Sequence, residues 1–453
     1  MMKNYSIHYY LLLGLVILCL QSCSKFLETK PDTKLAIPNT FEDCQALLDG
    51  YGTVNMSYPY VGELCTDDFS LTSEYWAGLE IYEDRMLYIW DHKITPPQSQ
   101  WAGPYQTVYI ANQVLSILET LPEGARRQQM EGAAYFYRAY ALFALAELFA
   151  PIPLKDGSNA GEMALPYRRS PNIEEKVERV ALGDFFALLI ADLENARKLL
   201  PRTAGLPSRP NSTAAAALLS RIYLYIQDYD KALDFATEAL EQQSSLIDYN
   251  TLPLYEESPF KQFNSEVIFQ AIATGSFTFY YTIWKVSPQF YASYSDYDLR
   301  KQLFFMDNAD GTFSFKGNYD GELNQAPFCG LAVDELVLIK AECLARLNHM
   351  EEAKKTINTL GEKRYIKGTY QPVVVSDPDG LLRVILEERR KELVMRQRRW
   401  SDLKRLNLDP KTATTMSRTM DGKNYELKPN DGFYTMLIPQ QILNNSTLTQ
   451  TVR

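Results

Sequence analysis

The chain has 453 residues, of which 46% are apolar, so it can bury a sizeable core in one large domain or in two to three smaller ones. Its formal net charge of -10 at pH 7 argues against a nucleic-acid partner, because phosphate binding draws on concentrated basic surface. Aromatic residues make up 12% of the chain, which suits either helix packing or a ligand surface of flat rings.

The first 22 residues are predicted to form a signal peptide. Lys3 supplies a short positive region, and the apolar core from Leu11 to Leu20 is too short to span a bilayer of about 30 Å. The segment ends Leu-Gln-Ser-Cys, which resembles a bacterial lipobox and so implies cleavage before Cys23 and acylation of this cysteine. A plain secreted protein, in which the cysteine falls there by chance, is the alternative.

A proline-containing segment leads from Cys23 to the folded body. Residues 23–40 show little periodicity and are predicted to be a tether, followed by a single domain at residues 41–453. Four cysteines lie in that domain, and their spacings match no disulfide framework or metal motif. We expect buried free thiols at Cys44, Cys65, Cys329 and Cys343.

Helical periodicity dominates the rest of the chain. Apolar residues recur three and four positions apart, and Pro or Gly closes several of these stretches. The predicted helical segments are residues 41–51, 101–121, 125–149, 177–200, 211–241, 336–360 and 382–406. The segments at 211–241 and 336–360 are each predicted to be a pair of helices.

The clearest helix-turn-helix unit runs from Asn211 to Glu241 and resembles a tetratricopeptide repeat. Sliding the sequence by 121 residues places Tyr229–Ala232 on Met350–Ala353, which makes Leu336–Leu360 a second copy. The helices on either side of Pro122 are a candidate third unit. The predicted fold class is therefore mostly α, a tetratricopeptide-like helix-pair scaffold with long irregular insertions and minor β structure.

Long insertions interrupt this scaffold at about residues 53–100, 244–330 and 365–380. The second insertion contains one strand-like run, Glu266–Ile272. Trp101 and Trp400 fall within helical patterns and are predicted to lie in the core. The other tryptophans lie in the insertions, where their rings either stack on a ligand or pack the loops down: Trp76, Trp90 and Trp284.

The charged stretch Leu382–Leu406 is predicted to be one helix with a buried face. Arg389 falls on that face, where a charge needs a hydrogen-bonded carboxylate. Glu388, Glu392 or an acid of a neighbouring helix are the candidate partners. A structural ion pair is favoured over a catalytic role, because structural networks perturb charges as readily as active sites do.

The same stretch carries a family resemblance. It reads ERR-x-EL and then RRW-x-DL-x-RL, and the chain closes with LIPQQI at residues 437–442, where Pro439 is predicted to lie at or near a helix start. Together with the lipobox and the repeat-like helices, these motifs resemble the SusD/RagB family of surface nutrient-binding lipoproteins. The resemblance covers nearly the whole mature chain.

The resemblance implies an outer-membrane lipoprotein, anchored at the cell surface of a Bacteroidetes-like bacterium through acylated Cys23. It implies capture of a nutrient, most often an oligosaccharide, with a peptide as the alternative cargo, and delivery to a TonB-dependent, SusC-like barrel. The insertions are expected to present the ligand site, and relatives contribute polar contacts where Asp67 and Asp68 open the first insertion. The expected ligand-binding residues are Trp76, Trp90, Trp284, Asp67, Asp68, Tyr75 and Tyr281.

Catalytic chemistry finds little support in the sequence. His92 and His349 are the histidines beyond the signal peptide, and no hydrolase, metalloprotease or nucleotide-binding fingerprint occurs, so we predict no catalytic residue, metal or cofactor. The run Asp307–Gly311 is predicted to be a β-turn rather than a calcium loop. A surface glycosidase remains an alternative, because two carboxylates need only lie close in space. A structural surface protein without a small ligand is another.

Overall fold

Helices form most of the secondary structure in the computed structural model, which describes residues 38–323 and 325–453. The predicted signal peptide, Cys23 and the tether up to residue 37 lie outside these residues. In chain order the helices are α1 (Phe41–Leu48), α2 (Tyr51–Val54), α3 (Val61–Leu64), α4 (Ser73–Ala77), α5 (Tyr82–Tyr88), α6 (Ser99–Leu118), α7 (Ala125–Phe149), α8 (Leu182–Leu199), α9 (Ser212–Tyr225), α10 (Tyr229–Gln242), α11 (Pro288–Ala292), α12 (Arg300–Leu303), α13 (Val333–Arg346), α14 (Met350–Arg364), α15 (Pro378–Glu392), α16 (Arg399–Leu406) and α17 (Gln440–Asn444). The mostly helical fold predicted from the sequence is confirmed.

The strands are short and pair two by two, all antiparallel. They are β1 (Phe69–Ser70), β2 (Val267–Phe269), β3 (Lys285–Val286), β4 (Phe305–Asp307), β5 (Phe313–Phe315), β6 (Leu331–Ala332), β7 (Met416–Met420) and β8 (Lys423–Leu427). The run Asp307–Gly311 lies at the turn of the β4–β5 hairpin, as predicted. Pairing of β1 with β3 joins the first insertion to the second.

The internal repeat is confirmed in the backbone. Helices α9 and α10 begin at Ser212 and Tyr229, and α13 and α14 begin 121 residues later at Val333 and Met350. The turn between the two helices of each pair also has the same backbone conformation, with φ 63° at Gln227 and φ 64° at Asn348. These left-handed residues end the first helix of each pair, so that the second can fold back against it. Helix α10 also packs on α13, which places the two pairs side by side.

The predicted helix over Leu382–Leu406 is wrong in its middle. Helix α15 ends at Glu392 and α16 begins at Arg399, and between them Met395 and Gln397 have φ angles of 56° and 58°. An α-helix cannot continue through left-handed residues. The predicted helix over residues 177–200 likewise begins late, at Leu182, because Ala181 pairs with Met163 in an isolated β-bridge.

Arg389 is buried and bonds a carboxylate, as predicted. Its Nε donates to Asp402 of the following helix at 2.8 Å, and Glu335 of α13 lies 3.8 Å from its Nη2. The same region contains further buried arginine–carboxylate pairs, which are Arg221–Glu335, Arg405–Glu342, Arg396–Asp334 and Arg398–Glu147. These pairs tie α15, α16 and the segment between them to α7, α9 and α13.

Trp101 and Trp400 are 4% and 2% exposed, which confirms that both lie in the core. The four cysteines of the domain are buried and free, as predicted. Within the described residues, no helix combines the length and the apolar character that crossing a membrane requires.

Candidate ligand-binding surface

Two of the tryptophans predicted to bind ligand are core residues. Trp284 is 1% exposed, and its ring stacks on Phe69 at 5.6 Å and meets Tyr88 edge-on at 6.0 Å. Trp90 is 3% exposed and donates its Nε1–H to the carbonyl of Cys65 at 3.0 Å. Neither ring presents a face to solvent, so the expectation of ligand stacking is corrected for both. Trp284 packs the second insertion on the first, whereas Trp90 packs within the first insertion and its ring centroid lies 4.6 Å from the guanidinium carbon of Arg418.

Asp67 and Asp68 anchor the first insertion to the scaffold. Arg399 donates to both oxygens of Asp67 at 2.8 and 3.1 Å, and Arg390 donates to Asp68 at 2.6 Å. Burial raises the pKa of Asp67, but Arg399 and Arg390 outweigh burial and hold that pKa below its ordinary value. Asp68 is 1% exposed, whereas the side chain of Asp67 keeps about a quarter of its surface, at 27%. Of the two carboxylates, Asp67 is therefore the one that a ligand can reach.

Trp76, Tyr75 and Tyr281 lie nearer the surface. Tyr75 is 43% exposed on α4, and Trp76 beside it is half-buried and donates its Nε1–H to the carbonyl of Arg85 at 2.8 Å. Arg85 returns a hydrogen bond from its Nη1 to the carbonyl of Ala77 at 3.1 Å. These two bonds hold α4 against α5. Tyr281, in the second insertion, is half-buried, and its ring centroid lies 4.6 Å from that of Tyr280.

A buried carboxylate on α5 joins the two insertions. Asp84 is fully buried and accepts hydrogen bonds from Tyr60 at 2.7 Å, from Ser276 at 2.7 Å and from Thr278 at 2.9 Å. Burial raises the pKa of Asp84 even though these donors favour its charged form. Ser276 and Thr278 belong to the second insertion, so the turn between them is fixed on the first. We call this contact the Asp84 junction.

The junction carries exposed rings from both insertions. Phe277 lies between the two hydroxyl residues that bond Asp84 and is 74% exposed. Tyr82, two residues before Asp84 on α5, is 55% exposed, and Tyr280 is 37% exposed. The guanidinium carbon of Arg85 lies 5.2 Å from the ring centroid of Tyr82. Tyr75 is exposed on the neighbouring α4, and we use the name aromatic surface for these four exposed rings on α4, α5 and the segment bonded to Asp84: Tyr75, Tyr82, Phe277 and Tyr280.

Sequence reasoning missed Tyr82 and Phe277 because it gave weight to tryptophan. The local signal was present, since the run from Phe277 to Tyr281 contains four aromatic residues in five positions. Which of these rings point outward depends on the hydrogen bonds to Asp84, which is about 190 residues away in sequence. The local sequence therefore does not predict it.

One group of carboxylates in the described part of the chain has the spacing of metal ligands. Oxygens of Glu266, Asp334 and Glu392 lie within 4.8 Å of one another, and all three residues are buried. Arg364 bonds Glu266 at 2.9 Å and Glu392 at 2.7 Å, and Arg396 bonds Asp334 at 3.1 Å. Guanidinium groups thus supply the positive charge that a metal ion would otherwise bring.

Comparison with known sequences places these features in a family. One family model, described as "Starch-binding associating with outer membrane", matches residues 25–224, and a second, described as the SusD family, matches residues 277–450.

The chain belongs to the SusD/RagB family.

Two SusD-like proteins of Formosa agariphila are among its relatives. One is 26% identical over 370 residues, covering 68% of this chain and 71% of the relative, and the other is 22% identical, covering 89% and 92%.

Solved structures of SusD proteins share the fold. A SusD superfamily protein from Bacteroides thetaiotaomicron superposes with a TM-score of 0.74 at 20% identity, over 91% of this chain and 100% of that protein. A SusD-like carbohydrate binding protein from Bacteroides vulgatus superposes with a TM-score of 0.68 at 18% identity, over 90% and 97%. At these identities the likeness concerns the fold, so the site in this SusD family member has to be argued from its own residues.

Proposed function

We propose that this SusD/RagB family member binds an oligosaccharide on the aromatic surface and releases it unchanged. The observation that carries the proposal is the exposure of Tyr75, Tyr82, Phe277 and Tyr280 on two insertions that the Asp84 junction holds together. Sugar rings present apolar C–H faces, which pack on flat aromatic rings, while flanking polar groups bond the hydroxyls. Arg85 and the phenol groups of the tyrosines supply such polar groups beside the rings.

The junction also explains how exposed rings can bind with useful affinity. A ring on a mobile loop loses conformational freedom when it binds, and that loss opposes affinity. Here Phe277 is flanked by two hydroxyl groups bonded to one buried carboxylate, and Phe279 beside them packs on Tyr60 at 5.6 Å. The backbone under the exposed rings is therefore already ordered before the ligand arrives. Binding costs less when the surface is preorganised in this way.

We further propose that residues 1–22 are removed as a signal peptide, that residues 23–40 form a lipidated tether and that residues 41–453 form a single SusD-like domain. The acylated Cys23 would hold this domain at the outer surface of the outer membrane. A TonB-dependent, SusC-like transporter would then receive the captured sugar. Support for this arrangement comes from the family membership and from the Leu-Gln-Ser-Cys ending at residues 20–23.

Calorimetric titration of the purified mature chain tests the proposal. The probes are maltoheptaose and xylohexaose as uncharged glycans, tetragalacturonate as an acidic glycan, and a mixed set of hexapeptides. We expect heat of binding with at least one glycan and none with the peptides. Binding of peptides alone would favour the alternative cargo, and release of shorter sugars during incubation would identify a glycosidase instead.

Two further measurements test the anchor and the partner. Cys23→Ala should abolish lipid labelling in cells, and continued membrane attachment of that variant would contradict the proposed anchor. Extraction of the wild-type protein in mild detergent should also recover a large β-barrel protein with it, and recovery of the protein alone would count against delivery to a transporter.

A further inference from the structure

A polar cleft lies beside the aromatic surface and has no role in the function proposed so far. Its volume is about 670 Å³, which is within the usual range for small-molecule sites. Strand β1, the start of α11, the outward side of α15 and strand β7 form its walls. We call it the β7 cleft and define it by Ser70, Gln289, Glu387, Arg390 and Ser417.

The cleft adjoins the aromatic surface through the chain itself. Ser70 in its wall is three residues before Ser73, the first residue of α4, and α4 carries Tyr75. The backbone N–H of Asp421, just beyond β7, donates to the Oγ of Ser73 at 3.0 Å. One wall of the cleft is thus bonded to the helix that presents an exposed ring. Ser70 in the cleft wall and the exposed Tyr75 are thus five residues apart in the chain, on a segment that this hydrogen bond ties to the end of β7.

The principal arginine of the cleft is already neutralised. Arg390 bonds Asp68 at 2.6 Å and Asp67 at 3.1 Å, and its guanidinium carbon lies 4.8 Å from the ring centroid of Phe290. An incoming carboxylate or sulfate would have to compete with two carboxylates for this group. Such competition removes most of the gain that a charged hydrogen bond would give.

The other two cations of the cleft are engaged as well. Lys391 pairs with Glu388 on the same helix. Arg418 donates to the carbonyl groups of Leu64, Thr66 and Tyr88, and its guanidinium carbon lies 3.7 Å from the ring centroid of Tyr88. Its hydrogen-bond donors are therefore directed at the protein rather than at the cleft.

The groups that face the open volume are mostly uncharged. Gln289 and Ser417 are exposed, Ser70 is half-exposed, and together they offer both donors and acceptors. The exposed carboxylate of Glu387 accepts hydrogen bonds from hydroxyl groups and repels anions. Asp67 keeps part of its surface in the same volume. This set suits a ligand that carries many hydroxyl groups and no negative charge.

We propose that the β7 cleft is a second subsite, which binds an uncharged sugar unit of the same oligosaccharide that the aromatic surface holds. The inference rests on the proposed function and adds a ligand class to it: neutral rather than acidic or sulfated glycans. Hydroxyl groups of the sugar donate to Glu387 and Asp67 and accept from the amide of Gln289 and the hydroxyl of Ser417. The aromatic rings contribute apolar contact area, and the polar groups of the cleft distinguish uncharged sugars from acidic or sulfated ones.

The test fills the cleft without altering the aromatic surface. Ser417→Tyr places a large side chain in the cleft at an exposed strand position, where tyrosine is well tolerated. Ser244→Tyr makes the same change at an exposed serine after α10, outside the cleft, and is the matched control. Titration with maltoheptaose, xylohexaose and tetragalacturonate is repeated for both variants at 50 and 500 mM salt.

We expect Ser417→Tyr to weaken binding of the best uncharged probe at least tenfold, with Ser244→Tyr unchanged and with little dependence on salt. Unchanged affinity in Ser417→Tyr, while the wild type binds a glycan, would overturn the subsite and leave the proposed function standing. Preference for tetragalacturonate with a steep loss in high salt would overturn the neutral ligand class. Absence of binding to every glycan by the wild type would overturn the proposed function, and the subsite with it.

Discussion

Removing the carboxylate of Glu392 should cost the protein about 3 kcal/mol of stability. This side chain is fully buried and accepts from Arg364 at 2.7 Å, from Arg300 at 3.0 Å and from Tyr249 at 3.4 Å. Breaking a buried ion pair by removing one partner costs about 3–5 kcal/mol, because the other charge stays buried. Both arginines keep other carboxylates, so we expect the lower end of that range in Glu392→Ala.

Urea unfolding followed by helical circular dichroism measures this loss. The control is Glu387→Ala, which removes an exposed carboxylate from the same helix and should change the free energy of unfolding by no more than about 0.5 kcal/mol. The unfolding midpoint of Glu392→Ala should fall with little change in the urea dependence. A loss below about 1 kcal/mol, or an equal loss in the control, would refute the view that this buried network holds the scaffold together.

Two further variants test the protonation of a buried carboxylate and the packing of a buried tryptophan. Burial raises the pKa of Glu266 to about 7, against the opposing effect of Arg364, and Asp334 and Glu392 add to the rise. Between about pH 4.5 and pH 7 the folded protein therefore keeps a proton on Glu266 that the unfolded chain releases. The contribution of Glu266 to stability therefore decreases as pH rises from about 4.5 to 7. Between pH 5 and pH 7, the free energy of unfolding in urea should decrease less in Glu266→Gln than in the wild type. An equal decrease in both proteins would contradict the raised pKa of Glu266. Trp284→Ala should cost about 3–5 kcal/mol by thermal or urea unfolding, because the ring fills the contact between the two insertions, whereas a loss below 1 kcal/mol would show that the insertions do not depend on it.

Local periodicity was enough to locate the scaffold helices. Helix α7 spans Ala125–Phe149 as predicted, and the repeat offset of 121 residues reproduces the starts of α13 and α14 from those of α9 and α10. These elements are amphipathic and end at turn residues, so the information that defines them lies within a few positions of each residue.

The interruption between α15 and α16 was not readable in the same way. Residues 393–398 continue an apolar pattern that suits a helix, yet Arg396 turns to Asp334 of α13 and Arg398 turns to Glu147 of α7. Those carboxylates are 62 and 251 residues away in sequence. Contacts between such distant residues override local preference, and the left-handed backbone at Met395 and Gln397 accommodates them.

The candidate site shows the same limit. The predicted insertions do contain exposed aromatic residues, but which rings are exposed depends on the contact between the insertions. Strand β1 pairs with β3, which follows Trp284 directly, and this pairing stacks Phe69 of β1 on the Trp284 ring and buries it. Phe277 is exposed because its two neighbours, Ser276 and Thr278, bond Asp84. From the sequence alone, the tryptophans of the insertions were predicted to bind the ligand, and Phe277 and Tyr82 were not.

The most direct test of glycan binding by the aromatic surface is the affinity of a variant that lacks two of its exposed rings. Tyr82→Ala with Phe277→Ala removes one ring from each insertion, and both side chains are more than half exposed, so the fold should remain intact. The control is Tyr109→Ala, an exposed tyrosine on scaffold helix α6. By calorimetry, with the glycan that the wild type binds best, the double variant should bind at least tenfold more weakly, or about 1.4 kcal/mol, and the control should match the wild type. Wild-type affinity in the double variant would show that the aromatic surface does not bind the glycan.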